Sequence, residues 1–188
     1  MQNSSGQCDD DHLFRRYLGG DGSAFAQLFE RHGPGVYRFA RGMLADAALA
    51  EDVLQEAFLC VVRSARRYEA RGTFRTWLLR ITRNLCLNRI ESRRVRLAQD
   101  LSGAEPARHQ ATPLDQLQSA EQLDIIRQRL QTLPGHQREA TLLYAMGDLS
   151  YAQIADVLDV HLNTVKTLIH RARAALAQAL DEYNGDNP

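Results

Sequence analysis

The sequence predicts an all-α protein of two small helical domains joined by a flexible linker, and three observations predict it. Apolar residues recur at i, i+3, i+4 and i+7 along most of the chain, and almost nothing alternates with the period of two that a strand needs. Residues 97–116 break the pattern, with Gln99, Ser102, Gly103, Pro106, His109, Gln110 and Pro113 and few large apolar groups, as a linker does. Beyond that break, two short helical patterns flank a tight turn. The resulting division is 10–96 for the first domain, 97–116 for the linker and 117–182 for a second domain of four helices. At 188 residues and 44 % apolar content, the chain can build two proper cores.

Residues 1–10 read as a disordered start. His12 to Leu18 opens a helical pattern that Gly19-Gly20-Asp21-Gly22 interrupts, with Ser23 placed to cap the next helix. Phe25, Leu28, Phe29, Val36, Phe39 and Ala40 carry an apolar stripe to about Leu44, with a break expected at Gly33-Pro34-Gly35. A helix over about 49–68 follows, its inward stripe formed by Leu54, Ala57, Phe58, Val61, Ala65 and Tyr68. Its other face carries Asp52, Gln55, Glu56, Leu59 and Val62. Leu and Val rimmed by carboxylates fit a helix that docks on another protein; a helix buried on both sides is the alternative. After a loop at Glu69–Gly72, Thr73 caps a third long helix with Phe74, Leu78, Ile81 and Leu85 inward.

Charge is uneven although the formal net charge is zero. From Arg63 to Arg96 there are eleven Arg against two Glu, interleaved with Tyr68, Phe74 and Trp77. Such a stretch points to phosphate, and aromatic residues among arginines suit stacking on unpaired bases better than reading a closed duplex. Of the 23 basic residues only Lys166 is lysine; Arg binds phosphate and guanine with two parallel hydrogen bonds, though a coding bias towards Arg would look the same. A basic middle in a balanced chain suits specific contact rather than coating of DNA.

Past the linker, which fully extended would reach roughly 65 Å, Glu121–Leu133 and Gln137–Met146 form two helices ended by Pro134-Gly135 and Gly147. Ser150-Tyr-Ala-Gln153 is a capping box, followed by Ile154, small Ala155 and Leu158. The turn Asp159–Leu162 leads to Asn163 as N-cap of a last helix with Val165, Ile169, Ala172 and Leu176 inward. That pair is a helix-turn-helix whose second helix turns Thr164, Lys166, Thr167, His170, Arg171 and Arg173 outward, all able to meet phosphate or base edges. A helical hairpin without DNA function has the same spacing and is the alternative.

Several function classes fall away. Cys8, Cys60 and Cys86 make no CxxC and no metal-site spacing. No carboxylate cluster with metal spacing, activated nucleophile or phosphate-cradling glycine loop is evident, so a recombinase or nuclease is disfavoured, and neither metal nor cofactor is expected. The longest apolar run, Ala57 to Val62, is far short of a membrane span, and the polar, acidic N-terminus has no signal-peptide pattern; the expected location is the cytoplasm. A transcription factor acting without polymerase would keep the helix-turn-helix but leave the Asp52, Leu59 and Val62 face without a use.

Two sets of residues carry a family resemblance. Ala50-Glu-Asp-Val-Leu-Gln-Glu56, leading to Phe74-x-x-Trp77-Leu-x-x-Ile81-x-x-Asn84, is similar to the conserved domain of bacterial sigma factors. Leu133-Pro134, Arg138-Glu139, Leu149-Ser-Tyr-x-x-Ile154-Ala155, Thr164-Val165-Lys166 and His170-Arg-Ala-Arg173 resemble their promoter-reading C-terminal domain. The two-domain form resembles the small extracytoplasmic-function (ECF) group of the sigma-70 family, over about residues 12–180. The resemblance implies a region 2-like first domain and a region 4-like second one. Asp52, Gln55 and Glu56, with Leu59 and Val62 beside them, would grip the coiled coil of the core polymerase's largest subunit. Tyr68, Arg71, Phe74, Arg75, Trp77, Arg80, Arg83, Asn84 and Asn88 would capture and hold the melted −10 strand, with Trp77 either core or stacking platform. Arg138, Asn163, Thr164, Lys166, Thr167, His170, Arg171 and Arg173 would read or clamp the −35 element. Implied partners are core RNA polymerase, including the flap of its second-largest subunit, promoter DNA and an anti-sigma factor. Asp159 stands where a turn Gly is usual, Asn163 where Gly is common, Leu168 where Arg is frequent and Asn88 where Asp is frequent, which bears on promoter sequence rather than class.

Overall fold

The computed structural model describes residues 4–65, 73–99 and 117–186. The first domain comprises α1 (Ser4–Leu18), α2 (Gly22–Leu44), α3 (Ala47–Ser64) and α4 (Phe74–Gln99); the second comprises α5 (Leu117–Thr132), α6 (Gly135–Ala145), α7 (Tyr151–Leu158) and α8 (Leu162–Asp186). No strand occurs among the described residues. The linker expected over 97–116 starts inside the last turn of α4, and residues 100–116 lie outside the described residues.

In the first domain the core forms from α1 to α4, where Leu13, Phe14, Leu28, Val36, Ala57, Phe58, Val61, Phe74 and Leu78 are buried together. The expected α3 stripe is the buried one, joined by Ala50 and Val53, with Leu54 half-buried; Tyr68 lies outside the described residues. Phe14 is its aromatic hub, with ring centroids 5.2 Å from Phe74 and 5.8 Å from Trp77. Thr73 does cap α4: its Oγ1 accepts from the Thr76 N–H at 3.2 Å, and Thr76 Oγ1 donates back to the Thr73 carbonyl at 2.8 Å.

Three local expectations are corrected. The N-terminal segment is helical from Ser4 rather than disordered, because Asp10 on α1 is buried against Arg31 and His32 of α2. Asp21, not Ser23, caps α2, its side chain accepting from the Ser23 N–H at 3.0 Å. Pro34 does not break α2, which runs unbroken from Gly22 to Leu44. Proline removes one N–H and crowds the carbonyl four residues back, but here it sits on the exposed side, and buried Gly33 and Val36 fix the opposite side of the same turn in the core.

The two domains share a second core. Phe39, Ala40, Met43, Ala50, Val53, Leu79 and Cys86 of the first pack in one cluster with Ala140, Leu143, Leu149, Ile154, Val157, Val165 and Ile169 of the second. Burial, and secondarily the neighbouring Glu139 carboxylate, push the Cys86 thiol up to about 12, leaving it a small inert hydrophobe.

Burial alone would raise the Asp10 carboxyl, but hydrogen bonds and charge from His32 and Arg31 outweigh it and hold the group below its ordinary 3.8. His32 Nε2 lies 2.8 Å from Asp10 Oδ2, with both side chains nearly buried. A depressed carboxylate stabilises the fold above its unfolded value and loses that contribution as pH falls through its folded one. Asp10→Asn should therefore cost about 1–3 kcal/mol at pH 7, read by urea unfolding. The gap to the parent should shrink as pH falls below the ordinary carboxylate range.

Candidate nucleic-acid interface

Three surfaces carry the residues singled out by the sequence. On α3, Asp52, Gln55, Leu59 and Val62 are exposed, Leu59 to 51 % and Val62 to 43 %. The α3 face is therefore not buried on both sides. Glu56 is half-exposed and accepts from Arg89 of α4 at 2.7 Å, which fixes it at the rim of this face. Phe29, placed by its spacing in the core stripe of α2, is 40 % exposed with its ring on Phe58, centroids 4.7 Å apart.

On α4, the candidates divide. Asn84 and Asn88 are exposed and Trp77 is half-buried, edge-on to Phe74 and Phe14. Tyr68 and Arg71 lie outside the described residues. Phe74 is a correction: it is fully buried among Phe14, Trp77 and His32, so its ring belongs to the core and has no face left for a base. Arg75, Arg80 and Arg83 project towards the second domain and are engaged there. Arg75 pairs through both terminal nitrogens with the Asp148 carboxylate. Arg80 Nη2 donates to the Asp156 carbonyl at 2.6 Å, and Arg83 Nε donates to Glu139 Oε2 at 2.6 Å. Glu139 is 1 % exposed, and nothing in its sequence context marks it as buried.

On the second domain, the helix-turn-helix is built as expected up to the turn. The Ser150–Gln153 capping box is complete, with Gln153 N–H donating to Ser150 Oγ at 3.2 Å and Ser150 N–H to Gln153 Oε1 at 2.8 Å. Asp159 ends α7 in the left-handed region (φ 57°, ψ 50°), its N–H bonded to the Ala155 carbonyl, which is why a residue tolerant of that conformation stands there. Asn163 is not the N-cap. The helix begins at Leu162, and the His161 carbonyl accepts from the Thr164 N–H at 2.9 Å, leaving Asn163 exposed in the first turn. Val165, Ile169 and Ala172 are buried, while Thr164, Lys166, Thr167, His170, Arg171 and Arg173 are exposed along the opposite side. The Arg173 guanidinium lies 5.0 Å from the Tyr144 ring centre, a cation–π contact that orients it. Leu168 packs half-buried on the shared core.

Arg138 is a second correction. It is half-buried, and its guanidinium donates to the carbonyls of Gln131 at 2.9 Å and Leu133 at 3.3 Å and to Met43 across the domain seam at 3.4 Å. Burial lowers its pKa against the opposing pull of Glu139. It holds α6 to the end of α5 and does not reach outward for a DNA backbone.

No His, Cys, Asp and Glu grouping among the described residues could hold a metal ion, and none of the described helices is long and apolar enough to cross a membrane.

The Sigma-70 region 2 family model matches residues 28–96 and the Sigma-70, region 4 model matches residues 123–176. The chain is 31 % identical to the ECF RNA polymerase sigma factor SigW of Bacillus subtilis over 170 residues, covering 86 % of this chain and 91 % of that one. The chain belongs to the ECF sigma factors. It is also 33 % identical over 175 residues to the ECF sigma factor SigM of Mycobacterium tuberculosis, covering 93 % of this chain and 86 % of that one. Among solved structures it is similar to CnrH in complex with the cytosolic domain of CnrY (TM-score 0.69, 26 % identity, 93 % of this chain and 98 % of that one). It is likewise similar to RpoE of Bartonella quintana in complex with the anti-sigma factor NepR (TM-score 0.68, 26 % identity, 84 % of this chain and 96 % of that one). As a sigma factor the chain directs promoter-specific initiation by RNA polymerase.

The capping box sets where α7 starts and so how α8 leaves the turn. Ser150→Ala should cost about 0.5–2 kcal/mol, measured by denaturant unfolding.

Proposed function

We propose that the chain is a dissociable promoter-specificity subunit with its work divided by domain. Residues 10–96 bind core polymerase and take up the melted −10 strand, residues 97–116 bridge, and residues 117–182 read the −35 duplex. The observation that carries this reading is the separation of three faces on one fold: carboxylate-rimmed apolar on α3, arginine and asparagine on α4, polar and basic on α8.

On α3, Asp52, Gln55, Glu56, Leu59 and Val62 dock on the coiled coil of the largest polymerase subunit, and the second domain meets the flap of the second-largest. A helix with exposed Leu and Val among carboxylates fits a groove or coiled coil that is apolar at its centre and basic at its rim. On α4, Arg75, Arg80 and Arg83 clamp phosphates and Asn84 and Asn88 meet unpaired base edges, with Tyr68, Arg71 and Trp77 supplying further contacts. Taking a base out of the stack costs a few kcal/mol, which stacking at about 1–3 kcal/mol per base offsets. On α8, Lys166, Thr167, His170 and Arg171 reach into the major groove from the first turns, flanked by Asn163, Thr164 and Arg173. The protein itself makes and breaks no covalent bond and acts in the cytoplasm, where its polymerase is. The similarity to RpoE bound to NepR supports control of this chain, too, by an anti-sigma partner.

Transcription in vitro with purified core polymerase, this protein and fragmented DNA of its own genome tests the reading. Discrete transcripts are expected. Asp52→Arg should abolish them and weaken core binding at least tenfold, about 1.4 kcal/mol. Transcripts that persist with Asp52→Arg would remove α3 from the polymerase interface, and neither transcripts nor core binding from the parent would overturn the reading. Lys166→Ala should weaken duplex binding and flatten the plot of log affinity against log salt by about 0.9.

A further inference from the structure

We propose that Tyr144 is a positioning residue for promoter binding: its ring, backed by Tyr151, holds the Arg173 guanidinium ready for a phosphate at the edge of the −35 groove. This rests on the assignment of α8 to the −35 duplex; Tyr144 itself, on α6, is no part of that assignment. The two tyrosine rings are stacked, with centroids 5.7 Å apart and planes 15° from parallel, and the Arg173 guanidinium carbon lies 5.0 Å from the Tyr144 ring centre. Both rings are half-buried against core residues, which pins them, whereas Arg173 is exposed. Tyr151 is the first residue of α7, directly after the Ser150 cap, so the capping box that starts this helix also sets the stack. Among the described residues no carboxylate pairs with Arg173, and its charge stays available.

Spacing along α8 decides which part of the DNA Arg173 meets. Lys166, His170 and Arg173 follow one another at i, i+4 and i+7 on one exposed face. Seven residues advance a helix by about 10 Å, and the major groove is about 12 Å wide. A recognition helix meets base edges with its N-terminal residues, so with Lys166 over the bases Arg173 stands at the rim of the groove, where the phosphates are. A contact there fixes register without reading sequence. The ring suits this task. It attracts the guanidinium through its face and leaves the planar fork of N–H groups for phosphate oxygens. A long exposed side chain loses rotamer freedom when it binds, and one already held has less to lose.

Holoenzyme assembled from core polymerase and the full chain carries the test, with binding to a promoter duplex recovered by the transcription assay measured over a range of salt. Arg173→Ala should weaken binding about eightfold at roughly 0.1 M salt and flatten the plot of log affinity against log salt by about 0.9, one phosphate contact. The factor should be the same on two promoters that differ in −35 sequence. Tyr144→Leu should weaken binding about two- to fivefold with the slope unchanged, because the charge still reaches the phosphate but is no longer held ready for it. Tyr144→Phe, which keeps the ring face, should match the parent. With Arg173→Ala already present, Tyr144→Leu should cost nothing further, which a purely structural role could not produce. A Tyr144→Leu loss of equal size in both backgrounds, or Tyr144→Phe as weak as Tyr144→Leu, overturns the positioning role. Arg173→Ala with parental affinity and slope overturns the phosphate contact, and a Lys166→Ala loss beside it leaves the −35 assignment standing. If neither Arg173→Ala nor Lys166→Ala changes binding, the proposal falls with the −35 assignment it rests on.

Discussion

Helix α4 is packed from both sides, and that double use is the constraint on which the rest of the molecule depends. Phe74 and Leu78 turn into the core of the first domain, while Leu79 and Cys86 turn into the core shared with the second. Between these apolar residues stand Arg75 and Arg83, half-buried at the seam and each paired with a carboxylate of the second domain. Glu139, almost wholly buried, is the counterpart that makes the arrangement tolerable. Removing one member of such a pair strands the other charge, a cost of about 3–5 kcal/mol.

Separating the domains is a different event from deleting a partner. When the seam opens, both charges return to water together, so the loss is the Coulomb attraction less the recovered hydration. A seam made only of Leu, Val and Ile would expose unrelieved apolar area on opening. One that mixes Leu142, Leu143 and Met43 with arginines, carboxylates and Gln131 resembles contacts between domains that move relative to each other.

What the sequence made legible was local. The α3 stripe, the Thr73 cap, the Ser150–Gln153 box and the polar face of α8 are each written within one or two turns, and each stands in the structure where its spacing puts it. The parts that were illegible involve partners far away in sequence. Arg83 and Glu139 are 56 residues apart and Arg138 and Met43 are 95 apart, and no periodicity announces either contact. Asp10 looked like part of an acidic tail because its partners, Arg31 and His32, lie on the next helix. Pro34 misled in the other sense: its local rule is real, but tertiary packing of the flanking residues overrode it. Phe74 was assigned to base stacking by its arginine-rich neighbourhood, although its own inward spacing placed it in the core, where it lies.

The charge distribution follows from the same geometry. Residues 63–96 hold eleven of the chain's arginines, while the second domain supplies the Glu139 and Asp148 carboxylates on the surface that meets them. A formal net charge of zero is thus the sum of two complementary parts and not the mark of a chain indifferent to nucleic acid.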